Sequence, residues 1–349
     1  MTIDISANYL GLRLSSPVIV GSCSLTKNAE FARTASIAGA GALVLPSLFQ
    51  EQVVHQMIAD GKTPTPKEQA IEAACFQSSE SLYNGGPEGY ISTIENLKNC
   101  TGIPIIASLN GYSDGHWLRF AEQLEQAGAN ALEVTLEPEL TDPGLSGDEI
   151  ESQMLKSISA LSDLVSIPVS VKLSPYHTNL CNTAWRIVES GGQGLVCFAH
   201  EPSWKLELDR ISAAPVWGLT QAGNINPTVS GLLRIRSQGP DISLAASGGV
   251  SSVSDLINVV VAGASVVMIT SELYRSGADV ISHLNDGLVR YLDRHGFNAF
   301  SDLVAARPKV KPFLRSMHAD CLTNSHPFVH RIPVLSKQMG DRWGHTQLD

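Results

Sequence analysis

The sequence predicts an α/β fold, a (β/α)8 TIM barrel with long insertions after its second and sixth strands and a C-terminal extension. Three observations predict it. Four apolar helical stretches end in small glycine-containing turns, Ala38-Gly39-Ala40-Gly41, Ala127-Gly128-Ala129, Ser190-Gly191-Gly192 and Ala262-Gly263-Ala264, and each leads into a short run rich in Val and Leu. A glycine there ends a helix, and an uninterrupted apolar run is what a parallel strand buried on both faces requires. Proline stands at the entrance of three more such runs, at Pro17, Pro104 and Pro168, and Ile242 to Ala246 supplies another, which brings the count to eight. A doubly wound sheet is the alternative, and the missing Gly-rich nucleotide turn stands against it.

In chain order the strands are expected near residues 18, 42, 105, 131, 169, 194, 242 and 265, with amphipathic helical stretches such as Gly115 to Ala127 and Asp148 to Leu164 between them. Two connections are too long for plain loops, Ser47 to Pro87 and Ala199 to Asn226. In a barrel such insertions sit over the C-terminal mouth, where sites form. Residues 1–306 are read as the barrel. Residues 307–349 are read as a polar, proline-punctuated extension that packs on the barrel or a partner; its His318, His326, His330 and His345 are too irregular for a metal motif.

Composition narrows the function. Of 349 residues 43% are apolar and 17% charged, and 24 basic against 34 acidic side chains give a net charge of −10, which argues against disorder and against a nucleic-acid groove. The longest apolar stretch, Val253 to Ile269, is broken by Ser254, Asp255, Asn258 and Ser265, so no membrane span is expected. The N-terminus lacks the layout of a secretory signal, and a cytoplasmic location is expected. Six cysteines without a CxxC pair speak against a zinc ribbon or an iron–sulfur cluster. Asn84-Gly85-Gly86-Pro87-Glu88-Gly89 is not a dinucleotide turn, and Gly61-Lys62-Thr63 has Gln56 where a P-loop needs glycine.

Two places carry chemistry. In Val169-Ser170-Val171-Lys172-Leu173 the alternation turns Ser170 and Lys172 into the barrel, with Lys172 at the catalytic end. A buried cation is costly without an anion, so Lys172 needs either a carboxylate such as Glu133 on the preceding strand or a ligand. Ser247-Gly248-Gly249-Val250 ends strand seven and Thr270-Ser271 ends strand eight, the two loops where barrels bind phosphate through bare backbone N–H groups.

Ser16-Pro17-Val18-Ile19-Val20-Gly21-Ser22, Pro104 to Gly111, Ile167 to Pro175 and Ala246 to Val250, in this order together with Ala38 to Ala42, resemble the dihydroorotate dehydrogenase family, in particular its dihydroorotate dehydrogenase-like branch. The resemblance covers about residues 3–305 and implies FMN as cofactor. By it, Gly21 and Ser22 lie beside the isoalloxazine and Asn110 reaches the flavin. Lys172 stands near N1 and O2, where a fixed ammonium stabilises negative charge, and Gly248, Gly249, Thr270 and Ser271 hold the phosphate.

The departures concern the substrate side. The lysine expected after strand two falls on Pro46, the asparagine after strand four on Thr135, the Cys or Ser general base around Glu137-Pro138, and further asparagines on Ser78 and Ala199. Dihydroorotate is therefore not the expected substrate. Candidate replacements for the base are Glu137, Glu139, Tyr176, His177 and His200, all shortly after strand ends, with His200 the first choice. Trp204 and Trp217 are expected to cover the mouth or to stack on a ligand. The chain is thus expected to be an FMN-dependent oxidoreductase that exchanges hydride between flavin N5 and a small-molecule C–H or C=C substrate. Electrons would leave to a separate acceptor or redox partner, and related barrels suggest a homodimer. Two alternatives are a flavin-free lyase or isomerase acting on a phosphorylated metabolite, and a non-catalytic flavoprotein scaffold.

Overall fold

The computed structural model describes residues 3–79, 83–136 and 143–310. The chain opens with an antiparallel ribbon, β1 (Ala7–Tyr9) and β2 (Leu12–Leu14), joined at Leu10 and Gly11, both of positive φ. Leu10 plugs the end of the barrel where the strands begin: a Cβ on Gly194 would run into its side chain.

The strands that follow are β3 (Val18–Val20), β4 (Leu43–Val44), the short β5 (Leu48–Phe49), β6 (Ile105–Asn110), β7 (Ala131–Thr135), β8 (Val169–Leu173), β9 (Gly194–Cys197), the ribbon β10 (Ser203–Glu207) and β11 (Ser212–Val216), then β12 (Ser243–Ser247) and β13 (Val266–Ile269). Eight of them, β3, β4, β6, β7, β8, β9, β12 and β13, pair in parallel in that order, and β13 pairs back with β3. The sheet closes, and the predicted TIM barrel stands, with every expected strand within two residues of its place. The four turn glycines Gly39, Gly128, Gly191 and Gly263 all have positive φ, the conformation that made them helix stops.

The helices are α1 (Ala29–Ile37), α2 (Gln50–Ala59), α3 (Pro66–Cys75), α4 (Gly86–Thr101), α5 (Phe120–Gln126), α6 (Gly147–Leu164), α7 (Leu180–Glu189), α8 (Asn226–Gln238), α9 (Val253–Ala262), α10 (Ser271–Ser276), α11 (Asp279–Arg294) and α12 (Phe300–Ala305). Their starts follow local chemistry: Ser146 accepts from the Glu149 amide at α6 and Ser252 from that of Asp255 at α9, each in a reciprocal capping box.

Two carboxamide and carboxylate side chains tie the first insertion to the loop after β6. Gln50, fully buried, accepts from the Tyr112 and Ser113 amides at 3.1 and 3.3 Å. Glu68, also fully buried, accepts from the amides of Thr65 at 2.7 Å and Trp117 at 3.0 Å. Each satisfies backbone donors that a buried loop cannot leave bare. The α2–α3 insertion is therefore fixed beside the mouth.

The second insertion is different. Every residue of β10 and β11 is exposed, Trp204 and Trp217 each to 68%, so the expected burial of these tryptophans over the mouth does not occur. The compact unit that holds the barrel runs through Lys309, and within it Arg307 Nε donates to the Val260 carbonyl at 2.7 Å. The four histidines of the extension lie outside the described residues, and among the described residues no helix is long and apolar enough to cross a membrane.

Candidate active site at the barrel mouth

Register places the interior side chains in layers. Ser108 of β6, Glu133 of β7 and Ser170 of β8 are mutual partners and face the barrel axis together. Two residues on, toward the mouth, Asn110 and Thr135 form a partnered pair, and Lys172 occupies the corresponding place on β8. Lys172 Nζ lies 2.5 Å from Glu133 Oε1, with the carboxylate fully buried and the lysine side chain 14% exposed. The anion that the alternation demanded for Lys172 is thus a carboxylate of the preceding strand. Cys23, just after β3, is buried, and burial pushes its thiol up; the Leu25 and Thr26 backbone and the Tyr274 hydroxyl oppose this, and Lys172 does so least.

Gly21 follows β3 on the interior side. A Cβ there would lie 2.6 Å from Thr270 Oγ1, so only glycine lets the ends of β3 and β13 approach this closely. Ser22 meets the Tyr83 hydroxyl; burial is the largest cause that pushes this phenol up to about 12, and Ser22 opposes it. Ser24 and Tyr274 share a hydrogen bond of 2.9 Å across the same edge. Tyr83 and Tyr274 were not legible as mouth residues. Their positions depend on how the insertion and α10 fold back, and no local periodicity marks them.

The strand-seven loop forms a cradle. Gly248 has φ +101°, and a Cβ on it would enter open space, while Gly249 has φ +79° and sits against the backbone of Asn224. Neither glycine N–H takes part in a backbone hydrogen bond among the described residues. Thr270 and Ser271 adjoin this cradle at the start of α10, and Ser271 Oγ accepts from the Thr220 amide at 3.0 Å.

The base candidates separate. His200 is exposed, its Nδ1 3.3 Å from Thr220 Oγ1 and its ring 5.7 Å from that of Trp217, so its contacts belong to the loop beside Ser271. His177 is drawn outward to Glu151 at 3.4 Å, where Arg186 also binds. Tyr176 is 68% exposed. Glu137 and Glu139 lie outside the described residues. A cleft of about 650 Å³ lined by Val53, Met57, Ile91, Arg119 and Phe120 lies between α2, α4 and α5, outside the ring of strand ends. Among the described residues no group of three His, Cys, Asp or Glu is placed to hold a metal ion.

With this geometry in view, comparison with known proteins decides the family. The family model described as dihydroorotate dehydrogenase matches residues 4–292. The chain belongs to the dihydroorotate dehydrogenase family. Among its relatives, the dihydroorotate dehydrogenase B (NAD(+)) catalytic subunit of Methanosarcina acetivorans is 27% identical over 304 residues, covering 85% of this chain and 94% of that protein. The protein of the same description from Pyrococcus furiosus is 23% identical over 313 residues, covering 88% and 100%. That from Bacillus pumilus is 27% identical over 264 residues, covering 74% and 82%.

Members of this family are FMN-dependent flavoproteins, and the chain is a dihydroorotate dehydrogenase-like oxidoreductase. The residues present fit that cofactor. The Gly248 cradle offers bare backbone donors and room for an anion where a side chain would stand, and the amide of Asn110, facing the mouth, has no hydrogen-bond partner among the described residues. The flavin-free alternative is thereby set aside.

Proposed function

We propose that the protein oxidises or reduces a CH–CH bond of a small molecule other than dihydroorotate, and passes the two electrons to a separate acceptor. The observation that carries this reading is Lys172, an interior cation held by Glu133 at the mouth end of β8. Bound FMN supplies the hydride acceptor or donor. Gly248, Gly249, Thr270 and Ser271 would hold its phosphate, Asn110 would reach the ring, and the Lys172 ammonium would favour negative charge developing on it. Against dihydroorotate stand Pro46, which is buried and carries no donor, and Thr135 and Ala199 in place of asparagines.

His200 serves in this reading as the group that exchanges the substrate proton, once the Thr220 loop moves; Glu137 is its competitor. In the oxidation of a C–H bond this base would take the proton released from the substrate, and the two electrons would leave to a separate acceptor, a quinone, a fumarate-like acid or a protein. The test is anaerobic bleaching of the bound flavin by a panel of saturated acids, amides and cyclic imides. The expected result is bleaching by a member of the panel and none by millimolar dihydroorotate; rapid bleaching by dihydroorotate overturns the reading.

The same reading includes a second copy of this chain docked on β10–β11. One face of the ribbon carries Trp204 and Leu206 opposite Pro215 and Ala213, all exposed. An isolated two-stranded ribbon is marginal in water and needs cover. Antiparallel pairing of two copies centred on Leu206 sets each copy's Lys205 opposite the other copy's Glu207, so the edge is complementary to itself.

A further inference from the structure

We infer that Glu133 is a positioning residue that sets the reduction potential of the bound flavin through Lys172. This rests on the reading that Lys172 faces the flavin. Glu133 is fully buried, and among the described residues neither of its oxygens accepts a hydrogen bond beyond the ion pair of Oε1 with Lys172. The hydroxyls in register beside it are engaged elsewhere: Ser108 with Ser47 Oγ at 2.9 Å, Ser170 with the Leu132 carbonyl at 3.1 Å. The Tyr9 hydroxyl below is buried, its pKa raised first by burial and then by the charge of Glu133, while the Ser170 hydroxyl beside it opposes that rise. The carboxylate therefore has one strong neighbour, the Lys172 ammonium at 2.5 Å.

A buried pair with so few supporting hydrogen bonds adds little stability, since desolvation of two ions offsets their attraction, and apolar residues of similar volume would pack as well. Its electrostatic consequence at the mouth is larger. A bare ammonium would present a full positive charge; with Glu133 behind it, the mouth meets the positive end of a short dipole, whose field falls off faster. Reduction adds negative charge to the flavin, so a full cation raises the potential and a compensated one raises it less. Glu133 thus holds the potential down, which lets the reduced cofactor give its electrons to an acceptor of modest potential. It also fixes where Nζ sits.

The experiment measures the potential of FMN-loaded wild type, Glu133→Gln, Lys172→Met and the double variant by equilibration with reference dyes. Lys172→Met is expected to lower the potential. Glu133→Gln is expected to raise it by at least tenfold in the reduction equilibrium, ~30 mV for two electrons. In the Lys172→Met background the Glu133 change is expected to do nothing, because the ammonium through which it acts is gone. If Lys172→Met lowers the potential and Glu133→Gln leaves it unchanged, the inference falls while the Lys172 reading stands. If Lys172→Met has no effect, both fall. Should Glu133→Gln fail to retain FMN, Glu133→Asp, which lengthens the pair, must shift the potential upward by a smaller amount, and no shift there overturns the inference. A purely structural role would alter melting temperature and FMN content without moving the potential.

Discussion

Adding a methyl to either glycine of the strand-seven loop separates ligand binding from folding. At Gly248 the φ of +101° makes alanine strained, but its Cβ meets nothing within 4 Å. Left-handed backbone costs a non-glycine residue roughly 1–2 kcal/mol, so Gly248→Ala should lower the melting temperature by only a few degrees, on the order of 2–4 °C per kcal/mol. Its methyl would occupy the space assigned to the phosphate. FMN affinity should then fall about 10- to 100-fold, equivalent to about 1.4–2.8 kcal/mol. At Gly249 the geometry reverses: a Cβ would lie 2.5 Å from the Asn224 carbonyl carbon and nearer still to its oxygen, so backbone must move, and the loss of stability should exceed that of Gly248→Ala. The assay is fluorescence titration of the apoprotein with FMN and with riboflavin, which lacks the phosphate, alongside calorimetric melting. Wild type should prefer FMN, and Gly248→Ala should lose most of that preference while staying folded. A Gly248→Ala protein that binds FMN with unchanged affinity and unchanged preference would refute the phosphate assignment.

Three further outcomes can be checked independently. Lys172→Ala should slow flavin reduction in stopped-flow more than it reduces FMN content, and should destabilise the fold by about 3–5 kcal/mol, because it leaves Glu133 buried without its cation; equal losses of content and rate would count against a role in the reaction. Cys75, exposed, should react first with a disulfide reagent, whereas Cys197, its pKa pushed up to about 12 by burial, should react only on unfolding, as should the buried Cys23. Trp204→Ser with Leu206→Ser should convert a dimer to a monomer in sedimentation without changing FMN content; an unaltered mass would remove the ribbon as the dimer surface.

Tyr83 supplies a test in alkali. Its folded pKa of about 12 lies above the ordinary tyrosine value of 10.0, because burial disfavours the phenolate. Below pH 10.0 both states hold the proton, so the group contributes nothing to the pH dependence. Above it the unfolded chain ionises first, and stability falls as pH rises from 10.0 through about 12. Substituting Tyr83→Phe should flatten that part of the stability curve; an identical alkaline limb would show that the ring is solvated.

What could be read from the chain was set by short-range rules. The strands were legible because helix-stopping glycines and strand-entry prolines act within a few residues, and Lys172 was legible because period-two alternation on a closed sheet decides which side chains enter the barrel. Glu133 followed as one of two possible partners, since it stands on the adjacent strand. The fates of Trp204, Trp217, His177 and Tyr83 depend instead on where long insertions and helix faces come to rest. Such positions are fixed by contacts far apart in sequence: His177 turns to Glu151, on α6, because Arg186 of α7 draws that carboxylate to the same edge.

The interior of the barrel itself argues for function. A TIM barrel core is ordinarily filled with branched apolar side chains, which pack without desolvation cost. Here the layer below the mouth carries Ser108, Glu133 and Ser170, with Tyr9 reaching up from the N-terminal ribbon, and beyond its ion pair with Lys172 the buried Glu133 carboxylate accepts no hydrogen bond among the described residues. A carboxylate so placed costs free energy that a valine or leucine would not. An arrangement unfavourable for folding, located directly beneath Lys172 at the end of β8, has a physical rationale when the charge it delivers to the mouth is what the proposed reaction uses. On that account, replacing the layer by apolar residues, Glu133→Leu together with Lys172→Met, should raise the melting temperature while it abolishes turnover. A double variant that is both less stable and unable to fold around FMN would instead make the layer a packing requirement.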